Sequence, residues 1–282
     1  VRVFTSSSSP GVSLMAEGIS YIAGAELPVV IINIVRAGPG LGGILPAQSD
    51  YFQATKGGAH GDFRIITLAP SSVQEAADLM MDAFDLADKY RNPTMVMADG
   101  MIGQMMEPVE FKERPKVDLP AKDWATTGCK GRDPNIITSL WLDAEILNDL
   151  NKRLKKKYDL IEKTEVRYEE YNCEEPHDLL IVSYGTMARI CQTTIDKLKD
   201  EGVNVGLFRP ITLWPYPYEA LAKACSRAEK ILCVEMSMGQ MIEDVRLALE
   251  GSKHVDFYGT AGGVVPSPSD VREQVEKLLE GK

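Results

Sequence analysis

Short, continuously apolar runs alternate along this chain with stretches in which apolar residues recur every three or four positions. The first run, VRVFT at residues 1–5, reads as a strand. From Pro10 to Ala23, Val12, Met15, Ile19 and Ile22 recur at helical spacing, with Ser9 at the cap and Pro10 at the first helical position. VVIINIV at residues 29–35 is continuously apolar and β-branched, as a parallel strand covered on both faces would be. RIITLA (64–69) and TMVMAD (94–99) repeat that signal. Between them, Ser72 and Glu75 have the spacing of a capping box that opens a helix running to about Arg91. Alternation of this kind predicts an α/β domain with a parallel sheet.

The pattern lapses between Met101 and Pro134, where Pro108, Pro115, Pro120 and Pro134 interrupt a stretch of mixed charge, and a surface connector is expected. A long helix follows from about Leu140 to Glu162, with Ile146, Leu150, Leu154, Tyr158 and Ile161 on one stripe. A second α/β unit begins near Asp178. Its expected strands are DLLIVS, VNVGLF, KILCVEM and HVDFYG, with helices over Met187–Asp200, Tyr218–Cys225, Gln240–Glu250 and Pro268–Leu279. Ser267 and Asp270 form a capping box for the last helix, and Pro268 occupies its first position. The chain thus reads as two parallel-sheet α/β domains, residues 1–118 and 176–282, joined by a linker and long helix over 119–175.

Composition narrows the function. The chain has 282 residues, 44% hydrophobic and 26% charged, enough for two ordinary cores. Acidic residues outnumber basic ones by 41 to 31, for a net charge of −10, which argues against a nucleic-acid surface. No apolar run approaches the roughly 20 residues that cross a bilayer, and no secretory leader pattern is visible. The five cysteines are widely spaced and none lies in C-x-x-C, so no zinc or iron–sulfur ligand set is expected here, and free thiols in a cytoplasmic setting are.

The segment IINIVRAGPGLGG carries Gly38, Gly40 and Gly43 in the order G-x-G-x-x-G. A dinucleotide site would need the loop to open a helix and an acid to end the next strand. Only a short helix, about Pro46 to Lys56, has room to follow. Asp62 precedes the next strand instead of ending it, and Asp99 comes far too late. What remains is a buried strand delivering Arg36 to its carboxyl end, where open α/β sheets meet ligands. The planar guanidinium suits a carboxylate, and a structural ion pair is equally consistent with the spacing. In KGGAHGD, His60 and Asp62 are either a proton-handling pair or ordinary turn residues. In FTSSSSPG the hydroxyls either meet a polar ligand or cap the following helix. KRLKKK (152–157) reads as a solvated helix face or a docking site for an acidic electron-transfer protein. There is no G-x-S-x-G elbow and no phosphate-binding G-x-x-x-x-G-K-[ST], and the three histidines lack metal-ligand spacing. A catalytic role therefore requires a cofactor that this chain does not hold alone.

The stretch TSSSSPGVSLMAEGISYIAGAELPVVIINIVRAGPGLGG resembles the pyrimidine-type domain of the 2-oxoacid:ferredoxin oxidoreductases. KGGAHGDFRIITLAPSSVQEA and VMADGMIGQMMEPVEF continue the likeness. SYGT, FRPITLWPYP, VEMSMGQMIEDVR and YGTAGG are similar to the companion transketolase C-terminal-type domain. NIITSLWLDAEILNDLNKRL is most similar to the branched-chain, 2-oxoisovalerate members. The resemblance implies oxidative decarboxylation of a 2-oxoacid to acyl-coenzyme A and carbon dioxide, with electrons passed to ferredoxin. It implies thiamine diphosphate shared at a subunit interface, with Mg²⁺ and [4Fe-4S] clusters on partners: a beta-type thiamine-diphosphate-binding subunit, gamma and ferredoxin-like subunits, and ferredoxin. Arg36 matches the arginine that the family places near the substrate carboxylate. Ser7, Ser9 and Gly11 match the loop lining the cofactor cleft, and His60 and Asp62 fall in a family-like loop near the site. The family's G-D-G motif is absent, ADG at Asp99 being the nearest approach. The resemblance further implies an upstream segment, with a Y-P-I-T-P-like stretch and a cofactor-contacting glutamate, that Glu17 and Glu26 do not replace. On that expectation the pyrimidine half-site is incomplete, and the competing reading is a non-catalytic assembly subunit.

Overall fold

The computed structural model describes residues 1–281. Strand β1 (Phe4–Ser7) leads into helices α1 (Ser9–Leu14) and α2 (Ala16–Gly24), then strand β2 (Val30–Val35). The single helix expected from Pro10 to Ala23 is broken at Met15, whose N–H bonds back to the carbonyls of Gly11 and Val12. After a long loop come α3 (Tyr51–Thr55), β3 (Ile66–Leu68), α4 (Val73–Tyr90), β4 (Thr94–Asp99) and the short α5 (Gly100–Gln104). The connector carries no further helix or strand until α6 (Ala144–Thr164), capped by Asp143. Helix α6 buries Leu150, Leu154, Tyr158 and Ile161, whereas Ile146, expected on the same stripe, is half exposed.

Beyond α6 lie β5 (Tyr168–Tyr171), β6 (His177–Val182), α7 (Gly185–Asp200), β7 (Val205–Pro210) and β8 (Thr212–Trp214). Helix α8 (Tyr218–Ser226), β9 (Ala228–Glu235), α9 (Met241–Leu249), β10 (Asp256–Gly259) and α10 (Pro268–Leu279) complete the chain. The capping box of Ser267 and Asp270 is present in full.

Two five-stranded sheets result, ordered β1-β2-β4-β3-β8 and β10-β9-β6-β7-β5. Every pairing is parallel except those of the edge strands β8 and β5. Neither antiparallel edge announces itself in the sequence, because each is only three or four residues long and takes its register from a distant partner. Strand β8 comes from the second half of the chain yet completes the first sheet, beside β3. One core runs through both halves, including Ile31, Tyr51, Tyr184 and Trp214. A second fills the space between β6, β7, α7 and α10.

Glu75 departs from the expected capping box. Ser72 Oγ accepts from the Glu75 N–H, but the Glu75 carboxylate accepts from the N–H and hydroxyl of Ser71. Both its oxygens also receive Arg209 of β7, at 2.9 Å each, so the acid serves the contact between the two units.

His177, at the start of β6, is buried with neither ring nitrogen hydrogen-bonded. Burial, and then the nearby Arg227 guanidinium, push its pKa below the ordinary 6.5. The unfolded chain therefore binds this proton more readily than the folded one. Stability is full above about pH 6.5 and falls as the pH drops below it. We expect the melting temperature to fall less between pH 7.5 and 5.5 in His177→Gln than in the wild type. Equal slopes would remove His177 as a source of acid lability.

Candidate functional site

The carboxyl ends of β1 and β2 bring Ser7, Ser9, Gly11 and Arg36 into one cluster. Ser7 lies level with Asn33 in the parallel pair, so β1 has ended by the time β2 reaches Arg36. Ser9 stands in for the missing strand: its hydroxyl accepts from the Arg36 N–H at 3.1 Å and donates to the Arg36 carbonyl at 3.2 Å. The chain turns so closely at Gly11 that a Cβ there would overlap Ser7 Oγ.

The glycine-rich segment is a flap. Arg36 bridges to Pro46, Ala37 N–H bonds to Leu45 O at 3.0 Å, and Gly43 N–H bonds to Ala37 O at 2.8 Å. Gly42 sits at φ +60° with its α-carbon against the Ala37 carbonyl, a position where a side chain would collide. Leu41 and Ile44 at the flap's tip are exposed, and Leu45 packs at Gly263 in the YGTAGG segment of the other unit. The glycines thus fold a two-way loop and open no nucleotide-binding helix.

Arg36 itself donates through Nη1 to Gly43 O at 3.3 Å. Its Nε is buried without a partner, and among the described residues the guanidinium joins no ion pair. Of the two readings left open by the spacing, the structural ion pair finds no acidic partner among the described residues of this chain. A side chain of permanent charge with an unsatisfied buried donor is able to pair with an anion.

His60 and Asp62 are elsewhere. Asp62 lies four residues before Ile66, whose level in the sheet, through Thr94, is that of Val30 at the start of β2. Arg36 follows the far end of that six-residue strand, about 20 Å along it. His60 is exposed, accepts from Ser20 Oγ through its carbonyl, and stands edge-on to Tyr21. No hydrogen bond or ion pair joins His60 to Asp62 among the described residues. Asp62 instead lines a cavity of about 410 Å³ against α6, with Arg64, Lys152 and Lys155. There Lys152 pairs with Asp149 and Lys155 with Asp159, and Arg153 pairs with Glu26, so most of the KRLKKK charge is already matched.

Several buried polar residues around this cluster escaped the sequence reading. Asn33, fully buried in β2, accepts from Ser9 N–H and donates to Asp50. Its signal was visible, as the single polar residue in VVIINIV. Gln48 joins the two sheets: its side chain donates to Tyr184 O and accepts from Met236 N–H, each at 2.8 Å. Glu235 ends β9 fully buried and accepts from the N–H groups of Gln240, Met241 and Ile242 and from Ser237 Oγ. Asp99, the residue of the ADG segment, caps α5 through Met101 N–H at 2.8 Å. Burial raises its pKa, against the hydrogen bonds from Met101 and Ile102 N–H that pull it down. No group of three or more metal-ligating side chains occurs among the described residues, and no helix is long and apolar enough to cross a membrane.

Comparison with known proteins places this geometry. Residues 1–133 match the family model for the thiamine diphosphate-binding domain of pyruvate flavodoxin/ferredoxin oxidoreductase, and residues 177–271 match pyruvate:ferredoxin oxidoreductase core domain II. The ketoisovalerate oxidoreductase subunit VorB of Methanothermobacter marburgensis is 46% identical over 277 residues, covering 98% of this chain and 78% of the relative. The 2-oxoglutarate synthase subunit KorA of Methanothermobacter thermautotrophicus is 32% identical, covering 99% of this chain and 81% of the relative. In fold, the chain is similar to a 2-oxoglutarate:ferredoxin oxidoreductase from Magnetococcus marinus solved with 2-oxoglutarate, coenzyme A and succinyl-CoA. The TM-score is 0.83 and the identity 22%, over 98% of this chain and 53% of that one.

Proposed function

This chain belongs to the 2-oxoacid:ferredoxin oxidoreductases, and from that premise we propose that it supplies the substrate-carboxylate side of a thiamine diphosphate site shared with a partner subunit. The observation that carries this reading is Arg36. At the carboxyl end of β2, its buried Nε has no acceptor and its guanidinium no ion pair among the described residues. Gly43 O holds Nη1, so Nη2, which has no protein acceptor among the described residues, is left to donate to a carboxylate, with Nε behind it unsatisfied. Thiamine diphosphate, when bound, supplies the carbon nucleophile and electron sink for decarboxylation. The Ser7–Ser9–Gly11 turn fits the near wall of such a cleft, presenting the Ser7 side chain and a close-packed backbone, while the Ser9 hydroxyl holds the backbone of Arg36. The flap over residues 37–45 covers one side and, with exposed Leu41 and Ile44, offers apolar area to the partner. Arg36 orients the 2-oxoacid so that its carboxylate is fixed before carbon dioxide leaves.

In this reading residues 1–118 are the pyrimidine-type domain, 119–175 the linker and long helix, and 176–282 the transketolase C-terminal-like domain, with β8 lent back to the first sheet. Coenzyme A takes up the acyl group. Mg²⁺ and [4Fe-4S] clusters reside on the beta-type, gamma and ferredoxin-like subunits, and ferredoxin receives the electrons. The branched-chain 2-oxoacid 2-oxoisovalerate is the favoured substrate, because identity falls from 46% with VorB to 32% with KorA and 25% with the pyruvate synthase subunit PorA of Methanothermobacter thermautotrophicus. The five cysteines, all unpaired, agree with a cytoplasmic enzyme.

The test is anaerobic viologen reduction by the assembled subunits with coenzyme A, thiamine diphosphate and Mg²⁺. We expect reduction that depends on coenzyme A and is fastest with 2-oxoisovalerate. A preference for 2-oxoglutarate or pyruvate would reassign the substrate. Absence of reduction by a cofactor-loaded assembly would refute the proposed activity.

A further inference from the structure

The polar chain behind Arg36 has a single hub. Asn33 is fully buried in the middle of β2, and its two ends face opposite demands. Its Oδ1 accepts from Ser9 N–H at 3.1 Å, one of the donors left over at the start of α1, while Nδ2 donates to Asp50 Oδ2 at 2.9 Å. A donor on one side and a carboxylate on the other fix the amide's orientation without ambiguity. Ser9 in turn holds both backbone groups of Arg36 through its hydroxyl. Asp50 marks the place where the chain leaving the flap enters α3. Asn33 therefore ties together the β1–α1 turn, the end of β2 and the return of the flap, the three segments that set where the guanidinium points.

A valine or isoleucine would pack in this strand as its neighbours do, and a buried amide is costly unless both its ends are used. Both are used: one reaches Arg36 through Ser9, and the other holds Asp50, where the chain returns from the flap. Resting on the reading of Arg36 given above, we propose that Asn33, acting through Ser9 and against Asp50, is the positioning residue that aims the Arg36 guanidinium at the substrate carboxylate. Asn33 touches no substrate itself. Its effect travels through the backbone of Arg36.

The experiment is a double-mutant cycle in the assembled enzyme, read as kcat and KM for 2-oxoisovalerate. Asn33→Asp keeps the acceptor for Ser9 and the side-chain volume, but sets a carboxylate against Asp50. It should lower kcat/KM roughly 10- to 100-fold when Arg36 is present, the size of effect that a displaced orienting group produces. In an Arg36→Ala background the same substitution should change kcat/KM by less than about twofold, because the group it aims is gone. The exchange Asn33→Asp with Asp50→Asn restores one donor and one acceptor in inverted order and should recover most of the loss. It also supplies the measurement if Asn33→Asp alone fails to assemble.

Equal losses in both backgrounds, no loss from Asn33→Asp, or no recovery in the exchanged pair would each overturn the assignment of Asn33. Wild-type kinetics in Arg36→Ala alone would instead overturn the reading of Arg36, and that single variant separates the two failures.

Discussion

Replacing Arg36 with alanine is expected to lower kcat/KM for the 2-oxoacid by roughly 100- to 1,000-fold in the assembled enzyme. Truncating one partner of a desolvated charge pair costs about 2–5 kcal/mol, and each 1.4 kcal/mol is a factor of ten. Arg36 sits in that situation once a substrate carboxylate is seated: half-buried, with Nε shielded from solvent and with only one protein acceptor, Gly43 O. The loss should divide between a higher KM, from weaker binding, and a lower kcat, from a carboxylate no longer held in the departing orientation. Arg36→Lys should recover only part of it, since an ammonium supplies charge without the two-pronged geometry. Thermal stability should scarcely change, because the guanidinium makes one hydrogen bond to the protein and no ion pair. Steady-state kinetics of the three enzymes, with melting curves beside them, check every part of this. Wild-type kcat/KM in Arg36→Ala would remove the residue from the mechanism.

Asp244→Ala should be the most destabilising of the simple substitutions, at about 3–5 kcal/mol. Asp244 in α9 is almost wholly buried, and its carboxylate gathers three partners from two parts of the chain. Tyr51 Oη donates to it at 2.6 Å, Tyr218 Oη at 2.5 Å and Lys56 Nζ at 2.5 Å. Removal leaves the buried Tyr51 phenol and the partly buried Tyr218 phenol unsatisfied and an ammonium facing a cavity, with the largest desolvation cost at Tyr51. Lys56 is partly exposed and regains water, so the tyrosines account for most of the loss. Tyr51 and Lys56 belong to the segment that follows the flap, whereas Tyr218 and Asp244 lie in α8 and α9. The substitution should therefore loosen the contact between the two sheets as well as lower the melting temperature. Denaturant unfolding tests the magnitude, and hydrogen exchange over residues 47–56 tests the location. A loss below about 1 kcal/mol would show that water replaces the carboxylate at little cost.

Elements that carry their own boundary signals were legible from the chain alone. Strand β4 spans Thr94 to Asp99 as its apolar run predicts, and α10 spans Pro268 to Leu279 between a capping box and the chain's last turns. Strand β2 was equally clear, and with it the position of Arg36 at a strand's carboxyl end. The two antiparallel edges were not legible, because β8 and β5 are set by pairing with β3 and β7 and not by their own pattern. Glu75 shows the same limit in one residue: local spacing suggested a capping box, and a distant guanidinium, Arg209, took the carboxylate.

By itself, then, the sequence determined the alternation that makes two parallel α/β sheets, the place of Arg36 at the carboxyl end of β2, and the family that the long motifs resemble. Hydrophobic periodicity, capping residues and strand ends are local properties, and local properties survive in a linear string. Only the tertiary structure decided that Arg36 is left without an ion pair, that His60 and Asp62 stand at the opposite end of the sheet, and that Asn33, Gln48 and Asp244 hold the surroundings together. Those facts depend on residues as far apart in the chain as Tyr51 and Asp244 meeting in a buried place. There the cost of an unsatisfied polar group selects partners that no sequence spacing encodes.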